Sequence, residues 1–224
     1  MKNTETLATR EDILIRDQMA KMVNTYDKYM NRITLGREEK LRNMTVGLAQ
    51  IREGDHVLEI GCATGSLTIV AKKRTGINGS VAAIDLIPGM IEASREKANR
   101  LNLDINFRTG SIENIPFPDH QFDVVLCSFM IFHMSEQVRN KGIEEIFRVL
   151  KPEGRLLVLD IAIPRKSFSR ALLKFLLGFM LKHDLEELKP NLEAAGFRNI
   201  DISAAPFRVF GLPLLSYLLT SKPE

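Results

Sequence analysis

The chain of 224 residues has little cysteine, little net charge and no long apolar run, and each shortage narrows what it can do. Its two cysteines, Cys62 and Cys127, both sit where apolar strand-like runs end. They predict small buried residues in a reducing compartment and exclude a disulfide framework. The formal net charge of +3 is too small to call for nucleic acid, and no nucleic-acid partner is expected. No stretch of about 18 uninterrupted apolar residues occurs, so no spanning helix is expected. No secretory apolar region opens the chain, and a cytoplasmic location is expected. H-x-x-x-H and C-x-x-C spacings are missing, which argues against a metal site. So is the G-x-S-x-G elbow of serine hydrolases. Neither repeats nor low-complexity segments appear. What remains is an ordinary globular composition, 45% hydrophobic and 26% charged, of a size that suits one α/β domain.

The organising stretch is Val57 to Ser66, VLEIGCATGS. Val57, Leu58 and Ile60 read as a short buried strand. The chain then turns through Gly61 and Gly65 into the helix-like run Leu67 to Ala71. A strand that passes through a glycine turn into a helix is expected to present free N–H groups and a positive helix end to one small space. The same residues would also serve a tight βα turn with no ligand. Two acids favour a site. Glu59 lies within an apolar strand, which is costly without partners. Asp85 closes the next strand-like run, Ser80 to Ile84, where βαβ nucleotide sites place the acid that holds ribose hydroxyls. The turn is neither G-x-G-x-x-G nor a P-loop, so the ligand need not carry a phosphate. An oxidoreductase using a nicotinamide cofactor is disfavoured for the same reason.

E-x-G-x-x-x-G after a strand, with an acid ending the next strand, resembles the class I S-adenosylmethionine-dependent methyltransferases. The run Arg148 to Asp160, RVLKPEGRLLVLD, is similar to their R-x-L-K-P-G-G-x-L-x-x-x-D pattern, with Glu153 where glycine is usual. The segment Tyr26 to Arg42 further resembles the ubiquinone/menaquinone C-methyltransferase branch. The resemblance implies a Rossmann-like three-layer α/β/α sandwich. Its sheet would have seven mostly parallel strands, the last antiparallel. It also implies S-adenosylmethionine as cofactor and S-adenosylhomocysteine as product. The expected cofactor residues are Glu59, Gly61, Cys62, Gly65, Asp85, Leu86, Ser111, Ile112, Cys127, Ser128 and Tyr26. In that arrangement Gly61 to Gly65 carry the methionine moiety and Glu59 supports the turn. Asp85 binds ribose, Leu86 and Ile112 enclose the adenine, and Cys127 and Ser128 border the methyl donor. Ser111 departs from the family, which places an aspartate there to accept from the adenine amino group. A serine hydroxyl also accepts, but it is shorter and neutral. The residue before strand one that approaches the cofactor in that branch corresponds to Tyr26.

One unit is expected throughout: a helical lid over 1–53, a cofactor core over 54–164 and a substrate side over 165–224. Within the lid, the Tyr26 to Asn31 stretch is expected to break helical periodicity. Leu185 to Ala195 reads as one helix, and Phe197 to Ser203 and Leu214 to Thr220 as strands. Phe168 to Lys182 is strongly apolar, with basic and no acidic charges. Such a segment suits core packing, the roof of a greasy pocket, a homodimer contact or a membrane interface. His133 is the one histidine expected near the crevice. It is a base candidate, against the plainer reading of a packed residue at a helix entry. A small, apolar acceptor, a quinone precursor or lipid, is the expected substrate. Protein or nucleic-acid methylation, or cofactor binding without catalysis, are the alternatives.

Overall fold

The computed structural model describes residues 9–161, 184–208 and 214–224. The strands are β1 (His56–Ile60), β2 (Ser80–Asp85), β3 (Asn106–Thr109), β4 (Phe122–Ser128), β5 (Leu150–Ile161), β6 (Arg198–Ala204) and β7 (Leu215–Ser221). They form one sheet in the order β3-β2-β1-β4-β5-β7-β6. Only β7 runs against its neighbours, antiparallel to both β5 and β6. The described helices are α1 (Arg10–Lys21), α2 (Tyr26–Ile33), α3 (Glu38–Leu48), α4 (Ser66–Thr75), α5 (Pro88–Arg100), α6 (Glu136–Val149) and α7 (Lys189–Ala195).

The central strands are buried on both faces, so they read as continuous apolar runs. Alternation still decides which face each residue serves. Leu58, Ile60, Val125, Cys127 and Val158 join Ile143 and Ile146 of α6 in one core. Val57, Val124, Leu126 and Leu157 meet Val46 of α3 and Leu67 and Ala71 of α4 on the other.

The expected break at Tyr26 to Asn31 is instead the first part of α2. Tyr26 and Met30 stand four apart, so one face of this polar turn buries Met30 while the rest stays wet. The turn expected over Lys151 to Gly154 lies inside β5, which starts at Leu150. The pairing register against β4 jumps there, from Phe122↔Leu150 to Val124↔Arg155. Glu153 takes a left-handed φ of 60°, which explains why glycine is usual at that place. The single helix expected over Leu185 to Ala195 is divided. A 3₁₀ turn, Leu185–Leu188, precedes α7, whose first turn carries Pro190. A proline lacks the N–H that would continue the preceding helix. The two last strands each lie one residue later than expected. The apolar, basic segment 167–182 lies outside the described residues.

The N-terminal helices reach across the carboxyl end of the sheet. Asp12 of α1 accepts a 2.7 Å bond from the N–H of Ser135, just before α6. Val23 lies against Gly89 at the start of α5. Asp27 of α2 accepts from the Thr64 hydroxyl at 2.5 Å and from Lys97 at 3.0 Å. Three contacts thus hold this arm over the turns that follow β4, β2 and β1.

Candidate functional site

Strand register brings the predicted residues onto one rim. Ile84, Ile60, Cys127 and Val158 are aligned across four adjacent parallel strands. One residue further along stand Asp85, Gly61, Ser128 and Leu159. Neighbouring strands lie about 4.8 Å apart, so this row spans roughly 14 Å from β2 to β5. Strand order reverses between β1 and β4, where open α/β sheets leave a crevice for ligands.

The glycine turn is more occupied than expected. The N–H groups of Gly61 and Cys62 both donate to the Ile84 carbonyl, at 2.8 and 3.1 Å. That of Ala63 donates to Asp85 Oδ2 at 2.9 Å, and that of Gly65 to the Cys62 carbonyl. The free amides expected from Gly61 to Gly65 are therefore largely taken by the protein itself. Gly61 (φ 71°) and Gly65 (φ 76°) are both left-handed. A Cβ on Gly61 would stand 3.0 Å from Met130, and one on Gly65 the same distance from Ser94. The bare backbone of Gly65 thus serves a close approach to α5, and that of Gly61 faces the turn after β4.

Glu59 is 3% exposed, and burial pushes its carboxyl up to about 7. The Thr68 hydroxyl donates to it and the Arg42 charge favours its ionised form, but neither overcomes burial. It ties β1 to the first turn of α4. Asp85 is 9% exposed. Burial raises its carboxyl, opposed by N–H bonds from Ile87 and Ala63. Each oxygen receives one main-chain N–H, from Ile87 and Ala63, both at 2.9 Å. Ionised carboxylate oxygens can accept further bonds. Tyr26 is half-buried in the field of Arg42, Glu59 and Asp85, and burial raises its phenol. Burial works against the charge of Asp27, but Lys97 and Thr64 hold its carboxyl low.

Other predicted residues separate from the rim's open side. Leu86 is 51% exposed and directly follows Asp85. The Gly110 N–H donates to the Asp85 carbonyl, which brings Ser111 close. The Ser111 hydroxyl already bonds Glu113. Ile112 packs into the core, 2.6 Å from where a Gly142 side chain would begin. Cys62 packs with Ile91, Ala98 and Phe107 and offers only its backbone. Cys127 is fully buried, which pushes its thiol up. His133 lies exposed on a 3₁₀ turn, Ile131–His133.

Two groups on the strand ends of this rim lack partners, as does the Ser135 hydroxyl in the turn that follows β4. The hydroxyl of Ser128 and Oδ2 of Asp160 are buried without a hydrogen bond. Asp160 was not among the residues expected from sequence. The signal was present: an acid closing the apolar run LLVL, as Glu59 interrupts VLEI. Further along the rim, beyond β7, a cavity of about 510 Å³ is bordered by Arg37, Lys40, Phe207 and Arg208. Among the described residues no cluster of ligating side chains could hold a metal. No described helix is long and apolar enough to cross a membrane.

Comparison with known proteins agrees with this geometry. A sequence model of a methyltransferase domain matches residues 57–154. The chain is 31% identical over 158 residues to a demethylmenaquinone methyltransferase of Symbiobacterium thermophilum, covering 70% of this chain and 62% of that one. It is 29% identical over 153 residues to a ubiquinone/menaquinone biosynthesis C-methyltransferase of Pseudoalteromonas translucida, covering 67% and 60%. The chain therefore spans less than two thirds of the length of these curated relatives. Among solved structures, an S-adenosylmethionine-dependent methyltransferase from Aquifex aeolicus superposes with a TM-score of 0.65 at 23% identity, covering 92% of this chain and 97% of the other. A [4+2]-cyclase superposes with 0.68 at 19% identity, covering 83% and 81%. These structural likenesses concern the fold.

Proposed function

We infer that this chain, which belongs to the class I S-adenosylmethionine-dependent methyltransferases and within them to the ubiquinone/menaquinone C-methyltransferase-like branch, transfers a methyl group from S-adenosylmethionine to a small apolar ring acceptor. The observation that carries this reading is the row Asp85, Gly61 and Ser128 at the carboxyl ends of adjacent strands. Asp85 receives the ribose hydroxyls on the outer lone pairs of its carboxylate. Leu86, exposed beside it, covers one face of the adenine. Ser111 turns from Glu113 toward the adenine amino group. Because the amides of the turn are spent, its carbonyl oxygens and Glu59 meet the methionine ammonium. Ser128 would border the sulfonium, with Tyr26 and the N-terminal arm closing over it.

Transfer from a sulfonium is an in-line displacement with a neutral leaving group. Holding donor and acceptor in line supplies most of the rate. When bound, the cofactor supplies the electrophilic methyl. The chain's task is to align the acceptor and exclude water. Names of relatives support a demethylmenaquinone-type ring as acceptor. The same reading takes the protein as cytoplasmic and reaching a membrane surface through 167–182, on the strength of that segment's basic, apolar composition. Calorimetry with S-adenosylhomocysteine and transfer of labelled methyl to reduced demethylmenaquinone test the reading. Micromolar-range binding with labelled product is expected. A wild-type protein that does not bind S-adenosylhomocysteine contradicts it.

A further inference from the structure

We propose that Asp160 is the base that takes the acceptor's proton, and hence that the acceptor presents an ionisable hydroxyl beside the end of β5. This rests on the methyltransferase reading and deepens it. Asp160 is 7% exposed. Its Oδ1 accepts the Ile161 N–H at 2.7 Å, while Oδ2 has no partner. A buried polar atom without a partner is costly, and native proteins keep few of them. This one stands at the ligand end of a parallel strand, two residues past the row that holds Cys127 and Val158. On the adjacent strand, the Ser128 hydroxyl is also buried and unpaired. Alternation along the strands puts Asp160 on the face of Cys127 and Val158, the α6 side, and Ser128 on the opposite face with Leu126, so the bare Asp160 oxygen is matched by a hydroxyl that reaches the end of β5 from the α6 side.

Burial sets the chemistry of Asp160. It pushes the carboxyl up to about 7, close to the value that suits a base at neutral pH. The Ile161 N–H opposes this without reversing it. The groups bearing on this face are the Cys127 thiol on β4 and Ser216 opposite on β7, while Glu59, in register with Leu126, faces α4 on the other side of the sheet. No described cation is among the causes that set its carboxyl.

The step balances. The acceptor's O–H bond breaks and its proton moves to Asp160 Oδ2. The freed pair enriches the neighbouring ring carbon, which forms a C–C bond to the methyl. The S–CH3 bond breaks and its electrons stay on sulfur. The ring carbon then loses its own proton to solvent, and the oxygen recovers a proton from Asp160. One proton is released overall.

The test uses Asp160→Asn, nearly identical in shape, in the full chain loaded with S-adenosylhomocysteine. The probes are 1-naphthol and 1-methoxynaphthalene, which differ in the O–H. Wild type is expected to prefer 1-naphthol by about tenfold, the worth of one hydrogen bond to a charged group, and the variant by much less. With S-adenosylmethionine and reduced demethylmenaquinone, kcat is expected to fall about 100-fold or more, and KM to rise by no more than the roughly tenfold lost in binding. The wild-type rate rises with pH through about 7, and the variant loses that rise. Asp160→Glu should recover part of the rate. An equal preference for 1-naphthol in wild type and Asp160→Asn overturns the proposal, as does an unchanged kcat and pH profile. Loss of S-adenosylhomocysteine binding by the wild type instead overturns the reading beneath it.

Discussion

Asp85 and Asp160 end two strands of the same sheet, and both are buried, yet their surroundings differ. Asp85 receives a main-chain N–H on each oxygen, and both bonds come from turns of the rim. It shapes the glycine turn whether or not a ligand is present. Asp160 receives one N–H, from its own neighbour, and leaves the other oxygen bare. The first carboxylate is satisfied by the fold, and the second awaits something the fold does not supply. On this comparison the β1–β2 end of the rim is preformed, and the β4–β5 end is completed by the acceptor.

The comparison is broken most severely at Asp85. Asp85→Ala removes two bonds to a charged group, together about 3–5 kcal/mol of stability. It should also weaken S-adenosylhomocysteine binding about 100-fold, since ribose hydroxyls lose a charged acceptor. Equal affinity in wild type and variant, by calorimetry, would remove Asp85 from the site.

Asp160→Asn should act in the opposite sense on stability. The wild-type carboxyl titrates near 7 in the fold and near 3.8 unfolded. A raised acid pKa gives stability that is full below the unfolded value and lost as pH rises through the folded one. The neutral variant escapes that loss. At pH 8 it should be more stable than wild type by on the order of 3 kcal/mol, and at pH 4 the two should converge. Chemical denaturation at both pH values checks this. A variant less stable at pH 8 would assign Asp160 a structural bond.

Gly61→Ala sharpens the preformed side. The left-handed φ of 71° penalises any side chain by roughly 1–2 kcal/mol, and Met130 adds a contact. Met130→Ala in the same chain should recover only the contact part. Asp27→Ala is expected to cost less, about 1 kcal/mol or below, because Asp27 is largely exposed. It frees the arm from Thr64 and Lys97, and limited proteolysis near Lys21 and Lys28 should quicken. The smallest expected effect is that of Phe175→Glu/Phe179→Glu. Liposome flotation would be reduced in that variant, and if neither protein floats the membrane contact is wrong.

Much of this was legible in the residues. Apolar runs closed by Gly61, Asp85 and Ser128 located three strand ends to within a residue, because buried parallel strands need continuous apolar sequence. The position of Asp85 beside the glycine turn followed. Orientation was less legible. Cys62 and Ile112 belong to loops near the rim, but their side chains pack inward, against α5 and α6. A single sequence gives a residue's place in the chain and not the direction of its side chain in an irregular turn. The spent amides of the turn escaped notice because they depend on the Ile84 carbonyl from a separate strand. The helical Tyr26 to Ile33 was missed because its apolar face is only one or two residues wide.

The most direct test is a crystal structure of the chain soaked with S-adenosylhomocysteine. The account predicts ribose oxygens within hydrogen-bond distance of Asp85 and sulfur beside Ser128. Ribose and sulfur bound away from the strand ends of β1, β2 and β4 would contradict it.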